Sequence, residues 1–235
     1  MRKYTLLIFD VDHTLIDYTQ DERIAFTKLF SSHGVPYTEE MLSECKLISQ
    51  KTWDDFGMND VSNPKMQEVW HTVYRSHVTT LFKRIFEKYD IKGYDEKAFG
   101  QEFISLLETD GSVMDGVEET LKRAKEKGYL IAFATNGITS MQSLRVRPLN
   151  AFFDKLYVSE EVGAIKPMRA YFERIKRDFA VDGKDCLMIG DSLSSDILGA
   201  IDAGMDTCFL DRKGTETHLG ITYKIHVLTE LKELI

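Results

Sequence analysis

Two acidic residues, one residue apart, follow the first apolar run of the chain: Tyr4–Phe9 (YTLLIF) leads into Asp10-Val11-Asp12-His13-Thr14. A carboxylate fixed at the end of a buried strand can attack a phosphoryl group and form an aspartyl-phosphate, dividing one difficult displacement into two. Asp10 is placed for that role. Asp12 can take a different direction, protonate the leaving oxygen and then activate water, a contribution typically worth about 10²–10⁴-fold. Further polar groups follow the later apolar runs. Thr135-Asn136-Gly137 comes after Tyr129–Ala134 (YLIAFA), and Lys166-Pro167 comes after Lys155–Val158 (KLYV). Gly190-Asp191-Ser192 follows Cys186–Ile189 (CLMI), with Asp196 five residues beyond Asp191. A phosphate monoester and a carboxylate are both anionic, so attack needs compensating positive charge. Asp10 and Asp191 form a hard oxygen pair for Mg²⁺, and Lys166 adds a fixed cation. The Thr135 hydroxyl and the Asn136 amide can donate to the transferring oxygens. Each signal alone has a plainer reading: a turn with a helix cap for the Asp10 and Asp191 segments, a turn for Thr135-Asn136-Gly137, and a solvated lysine for Lys166. Their force lies in all of them falling at strand ends.

Those positions demand an open parallel sheet, whose ligands bind beyond the carboxyl ends of its strands. The four runs, with a fifth at Thr207–Leu210 (TCFL), are short and continuously apolar, as strands buried on both faces must be. Helical spacing separates them: Val117, Leu121 and Ala124 before Gly128; Phe172, Ile175 and Phe179 after Pro167; Ile197 and Ile201 before Gly204. The expected fold class is α/β, a three-layer Rossmann-like domain with a parallel sheet. The stretch after the first strand has a different texture. Ile24 to Phe30, Met41 to Ile48, Met66 to Tyr74, Leu81 to Phe86 and Phe99 to Leu107 all repeat at helical spacing, and no buried strand appears among them. The expected organisation is therefore a catalytic core of residues 1–16 and 108–235 with an all-helical cap domain, residues 17–107, inserted into it. The crossings at Ile16–Thr19 and Glu108–Ser112 would hinge its closure over a substrate.

Composition narrows the partners. Thirty Lys and Arg against 38 Asp and Glu leave a net charge of −8 on 235 residues, which argues against nucleic acid and against a membrane surface. No apolar run approaches the roughly 18–20 residues of a spanning helix. The basic start Met1-Arg2-Lys3 is followed by an apolar stretch broken at Asp10, unlike a signal peptide. Cys45, Cys186 and Cys208 form no CxxC pair and read as small core hydrophobes, so a reduced cytoplasm is the expected location.

In the cap, Trp53, Phe56, Trp70 and Tyr74 could stack on a base or form the cap's own core. Tyr18 and Phe26, near the first crossing, are the better candidates for facing a substrate. Arg84 could pair with a nucleotide or sugar hydroxyl, but reads first as a solvated cation. His71 and His77 lie six apart, off a common helical face, so a shared metal is not expected. Glu39–Glu44 reads as an exposed helix face.

Asp10-x-Asp12-x-Thr14, Thr135, Lys166 and Gly190-Asp191-x₄-Asp196 resemble the four motifs of the haloacid dehalogenase-like hydrolase superfamily. The resemblance spans the whole chain, including a helical cap of the first type. It implies Asp10 as nucleophile, Asp12 as general acid and base, and Thr135 and Lys166 as phosphoryl ligands. It further implies Mg²⁺ held by Asp10, the Asp12 carbonyl and Asp191. Asp196 would orient Lys166 or metal-bound water. Halogen-removing members lack an acid at the Asp12 position, which favours phosphate chemistry here. The segments Val158–Ile175, Ile189–Phe209 and Ala134–Gly137 followed by Gln142 are similar to the cytosolic pyrimidine 5′-nucleotidase branch. His13 stands where many members carry Gly or Asn, and Arg145–Asn150 is less regular than that branch's pattern. The expected activity is a Mg²⁺-dependent phosphomonoester hydrolase, a 5′-nucleotidase acting on a small phosphorylated metabolite such as a pyrimidine nucleoside monophosphate. The rival readings are a phosphosugar phosphatase or mutase of the same superfamily and, more remotely, a phospho-receiver module. The sequence does not set the oligomeric state.

Overall fold

The structure, a computed structural model, describes residues 4–235; the basic stretch Met1-Arg2-Lys3 lies outside the described residues. Strand β1 (Leu6–Asp10) is buried along its whole length. It pairs in parallel with β2 (Leu130–Thr135) on one side and β4 (Cys186–Gly190) on the other. Outside these lie β3 (Lys155–Val158), β5 (Asp206–Leu210) and β6 (Tyr223–Ile225), giving one six-stranded parallel sheet in the order β3-β2-β1-β4-β5-β6. The two-residue alternation of strand side chains sorts the core into two layers. Leu7, Phe9, Ile131, Phe133, Leu187 and Ile189 face α5 (Val117–Glu126). Leu6, Ile8, Ala132, Ala134 and Met188 face α8 (Arg169–Phe179) and α9 (Leu198–Asp202). The alanines leave room there for Tyr171 and Phe172, both fully buried.

The Rossmann-like parallel sheet matches the expected fold class, and each expected strand forms within about a residue or two of its apolar run. Strand β6 had no such signal: it is three residues long, at the sheet edge, and only Ile225 is fully buried. The three cysteines are buried and free, and burial pushes their thiols up to about 12, so they behave as hydrophobes.

Between β1 and α5 stand four helices: α1 (Tyr18–Ser32), α2 (Glu39–Asp55), α3 (Pro64–Tyr89) and α4 (Glu96–Leu107). Each opens on a side-chain cap, from Asp17, Thr38, Asn63 and Asp95 in turn, which satisfies an otherwise orphaned backbone N–H. The two apolar patterns at Met66–Tyr74 and Leu81–Phe86 are one unbroken 26-residue helix. These helices close on Phe26, Phe82, Phe86, Phe99 and Phe103, with the Phe26 and Phe103 rings 4.6 Å apart. The same cluster takes in Ile138, Met141 and Ile165 from the loops and helices beside the sheet's C-terminal edge. Two short helices there, α6 (Thr139–Arg145) and α7 (Ser159–Val162), carry the polar contacts to α3. Among the described residues no helix is long and apolar enough to cross a membrane.

Candidate active site

Parallel register brings the motif residues together. Asp10 pairs with Ala134, one residue before Thr135, and the neighbouring β4 ends at Gly190. Lys166 reaches into this edge with its ammonium fully buried and spends all three donors: on Asp10 Oδ1 at 2.6 Å, Asp196 Oδ1 at 2.7 Å and the Ala134 carbonyl at 2.8 Å. Burial alone would strip its proton, but the carboxylates of Asp10 and Asp196 outweigh that and raise its pKa, so the ion stays charged. Asn136 holds Lys166 in place. Its side-chain oxygen accepts from the Lys166 N–H at 2.7 Å, and its amide donates to the Lys166 carbonyl at 2.9 Å. The amide expected to reach phosphoryl oxygens thus also positions the lysine, with one of its two N–H groups. Thr135 is buried at the same edge, 1% exposed.

Asp196 gets there by a widened turn. The Ser192 carbonyl accepts from both Asp196 N–H and Ile197 N–H, at 3.1 and 3.2 Å, making Leu193–Ile197 a π-turn. The Ser192 N–H then donates to Asp196 Oδ2 at 3.1 Å. A Cβ on residue 190 would lie 2.2 Å from that oxygen, so Gly190 is the residue that lets the carboxylate approach.

The carboxylates of Asp10, Asp191 and Asp196 come within 4.8 Å of one another. Burial, with repulsion from neighbouring carboxylates, pushes Asp10 up to about 7 and Asp191 up to about 6. Gathered acids on one side of a single ammonium are the donor set a hard divalent cation requires. Asp196 already accepts at both oxygens, which leaves Asp10 and Asp191 as the pair available to an ion. The residues therefore fit Mg²⁺.

Asp12 faces a different set. Arg145 Nη2 donates to its Oδ1 at 2.7 Å and Gln142 Nε2 to its Oδ2 at 2.8 Å. Burial opposes its ionisation, but Arg145 and Gln142 prevail and hold it below the usual carboxylate range. Arg145 is itself wholly buried, and its Nη1 lies 3.0 Å from Asp21 on α1. The Tyr18 ring sits 5.0 Å from the guanidinium carbon. Sequence reasoning passed over Arg145 and Asp21. Their signal was available: Gln142 and Arg145 are spaced i, i+3 on the helix that follows Thr135-Asn136-Gly137, and so share one face. His13 is explained by its backbone. Its φ of 64° is left-handed, a conformation that Gly or Asn adopts more readily. Its carbonyl accepts from Arg212, and its ring packs edge-on to Tyr18 at 5.8 Å.

Helix α3 meets this edge through three contacts. His71 shares a hydrogen bond with Ser159 Oγ at 2.8 Å, and that oxygen accepts from the Gly137 N–H at 3.0 Å. Arg75 pairs with Glu160, and the Tyr74 hydroxyl points at Met141 Sδ at 3.6 Å. His77 bonds the Tyr74 carbonyl, so the two histidines do separate jobs. Trp70 and Tyr74 are buried and stacked at 5.1 Å, with Trp53 edge-on to Tyr74 at 5.8 Å; Phe56 packs against the same cluster, half-buried. Phe26 is cap core. Tyr18 and Tyr74 both lie close enough to Asp12 and Arg145 to feel their charges. Arg84, expected to be solvated, pins Asp55 at 2.8 Å and Thr52 at 3.0 Å. In Glu39–Glu44 the glutamates are solvated or paired, whereas Met41 and Leu42 are buried.

Comparison with known proteins agrees with this geometry. The family model described as haloacid dehalogenase-like hydrolase matches residues 4–204. The chain is 30% identical to the HAD-hydrolase YfnB of Bacillus subtilis (strain 168), covering 100% of this chain and 97% of that one. It is 29% identical to the pyrimidine 5′-nucleotidase PynA of Streptococcus pneumoniae, covering 99% and 95%. To the glyceraldehyde 3-phosphate phosphatase of Pyrococcus furiosus it is 26% identical, covering 100% and 93%. The crystal structure of YfnB bound to magnesium superposes with a TM-score of 0.82 at 29% identity, covering 99% of each chain.

Proposed function

Because the chain belongs to the haloacid dehalogenase-like hydrolases, we propose that it is a Mg²⁺-dependent phosphomonoester hydrolase acting on nucleoside monophosphates, with pyrimidine 5′-monophosphates foremost. The observation that carries the reaction class is Lys166, a buried cation bridging Asp10 and Asp196 beside Asp191. Mg²⁺ held by Asp10, the Asp12 carbonyl and Asp191 would supply charge to offset the repulsion between carboxylate and phosphate. The Asp10 oxygen not bound to Lys166 attacks phosphorus, and the bond to the ester oxygen breaks. Asp12, ionised in the free protein, takes up a proton from solvent as substrate binds and gives it to that oxygen, so the alcohol leaves neutral. Lys166 and Thr135 hold the transferring oxygens, while Asp196 and Asn136 hold Lys166. Water then loses a proton to Asp12 and attacks the aspartyl-phosphate, freeing phosphate and restoring Asp10. Residues 17–107 act as the cap that closes over this exchange, hinged at the two crossings. The alcohol lies beneath Tyr18, the Trp70/Tyr74 stack and Trp53, an aromatic cluster suited to a base.

Support for the nucleotide comes from the similarity to a pyrimidine 5′-nucleotidase over almost the whole chain. A phosphosugar phosphatase is the second reading, favoured by the similarity to a glyceraldehyde 3-phosphate phosphatase. Phosphate release from UMP, dUMP, dTMP and a panel of sugar phosphates separates them. Nucleotides are expected to lead, with activity lost in excess EDTA and restored by Mg²⁺. Faster release from sugar phosphates transfers the assignment to the second reading, and full activity in EDTA removes the metal from it.

A further inference from the structure

Arg145 lies outside the motifs that define the reaction, yet it is the largest fully buried side chain of the described residues. An arginine taken wholly out of water needs partners on every side, since an uncompensated buried charge costs several kcal/mol. Its partners come from two different places. Nη2 donates to Asp12 at the end of β1, and Nη1 lies 3.0 Å from Asp21, one helical turn into the inserted helices. The second contact is an ion pair without hydrogen-bond alignment, and Nε has no acceptor among the described residues. The guanidinium fork is thus committed to Asp12 and only loosely docked on Asp21.

Asp21 carries a second link. Its carboxylate accepts from the Ser112 N–H at 3.0 Å, at the chain's return crossing. The Arg145 carbonyl accepts from the adjacent Gly111 N–H at 3.1 Å. Both crossings between insert and sheet therefore converge on Arg145, through its side chain and through its backbone. Gly111 is needed for that approach, because a Cβ there would lie 2.8 Å from the Arg145 carbonyl. Asp12, meanwhile, has both oxygens occupied by α6, from Arg145 and Gln142. Where its carboxylate sits is decided by where Arg145 sits.

We infer that Arg145 is a positioning residue that ties the cap, through Asp21 and the 111–112 crossing, to the placement of the Asp12 carboxylate against the leaving oxygen. It touches neither phosphorus nor the metal pair, and it acts through Asp12. The inference rests on the phosphatase reading above.

The test exploits leaving groups. An alkyl phosphate such as UMP needs a proton on the departing oxygen, whereas 4-nitrophenolate departs without one. Misplacing Asp12 should slow the first and spare the second; general loss of structure slows both alike. With kcat/KM, which reports the steps through departure, Arg145→Lys is expected to lose about 100-fold on UMP and less than about fivefold on 4-nitrophenyl phosphate. Asp21→Asn leaves the Arg145–Asp12 pair intact and replaces only the cap-side charge. It is expected to show the same split at about tenfold, and it serves as the test if Arg145→Lys does not fold. Equal losses on both substrates in Asp21→Asn, or no loss on either, overturn the role of Arg145 while the wild-type activity stands. A wild-type protein that releases phosphate from neither ester overturns the phosphatase reading and this inference with it.

Discussion

At the sheet edge Lys166 spends every donor it has, on three oxygens within 2.8 Å, whereas among the inserted helices Trp70 buries an indole N–H that finds no acceptor among the described residues. The Lys166 cluster is polar and saturated, although Arg145 beside it leaves Nε and Nη1 without a hydrogen-bond acceptor among the described residues. The second region is aromatic and leaves a buried donor unspent. A saturated polar network fixes geometry, because each broken bond strands a desolvated group. An aromatic cluster is held by packing and fixes shape with few directional bonds.

The sharpest way to break this contrast is Asp10→Asn. Activity is expected to fall by about 10³-fold or more. The fold is expected to persist, because the Asn oxygen can still accept from Lys166 and Asp196 still balances the ammonium. Retention of a tenth of the wild-type rate would take Asp10 out of the nucleophile's role. Phe82→Ala tests the other region. Phe82 contacts Phe26, Phe86, Phe99 and Phe103, and its loss is expected to cost about 3–5 kcal/mol in denaturant unfolding, as large aromatic truncations do. A loss below about 1 kcal/mol would show that the insert is not held by its aromatic cluster.

Glu22 tests whether the insert tolerates charge. It is buried on α1 and accepts from Ser49 at 2.5 Å, and burial lifts its carboxyl to about 7. The folded state therefore binds the proton more tightly than the unfolded chain, so wild-type stability declines as pH rises from about 4.5 through about 7. Glu22→Gln removes the Glu22 contribution to that decline and leaves those of Asp10 and Asp191. It should match the wild type near pH 4.5 and exceed it by on the order of 3 kcal/mol near pH 8 in urea titrations. Equal stability at both pH values would mean the carboxyl is solvated. The smallest effect is expected of Trp70→Phe, which removes the idle N–H and little volume. Stability should change by less than about 1 kcal/mol while KM for the nucleotide rises a few-fold at constant kcat. An unchanged KM would make Trp70 pure scaffold.

The same contrast explains what the sequence made legible. The gathering of Asp10, Asp12, Thr135, Lys166 and Asp191 at one edge was legible because a parallel sheet exposes the residue after each apolar run, and chain order marks those positions. Their fold class followed from the same runs. Arg145 and Asp21 were missed because they act by meeting each other from segments 124 residues apart, and a helix face records only that a side chain is inward, not what it meets. The contacts of Asn136 with the Lys166 backbone were not foreseen, since an amide can bind phosphate or backbone and chain order does not say which backbone comes near. Strand β6 escaped for want of length, and the continuity of α3 was hidden by the polar residues between its two apolar stretches.

The widened turn at Leu193–Ile197 carries a constraint of another kind. Most of this molecule is sensitive to which residue stands at a position; here it is sensitive to how many residues there are. Removing one residue between Ser192 and Asp196 would restore ordinary helical winding and swing Asp196 by about 100° away from Lys166. Adding one would do the same in the opposite sense. Related chains should therefore vary freely in length between the inserted helices and hardly at all across this turn, so that gaps in an alignment would trace the site as clearly as its residues do.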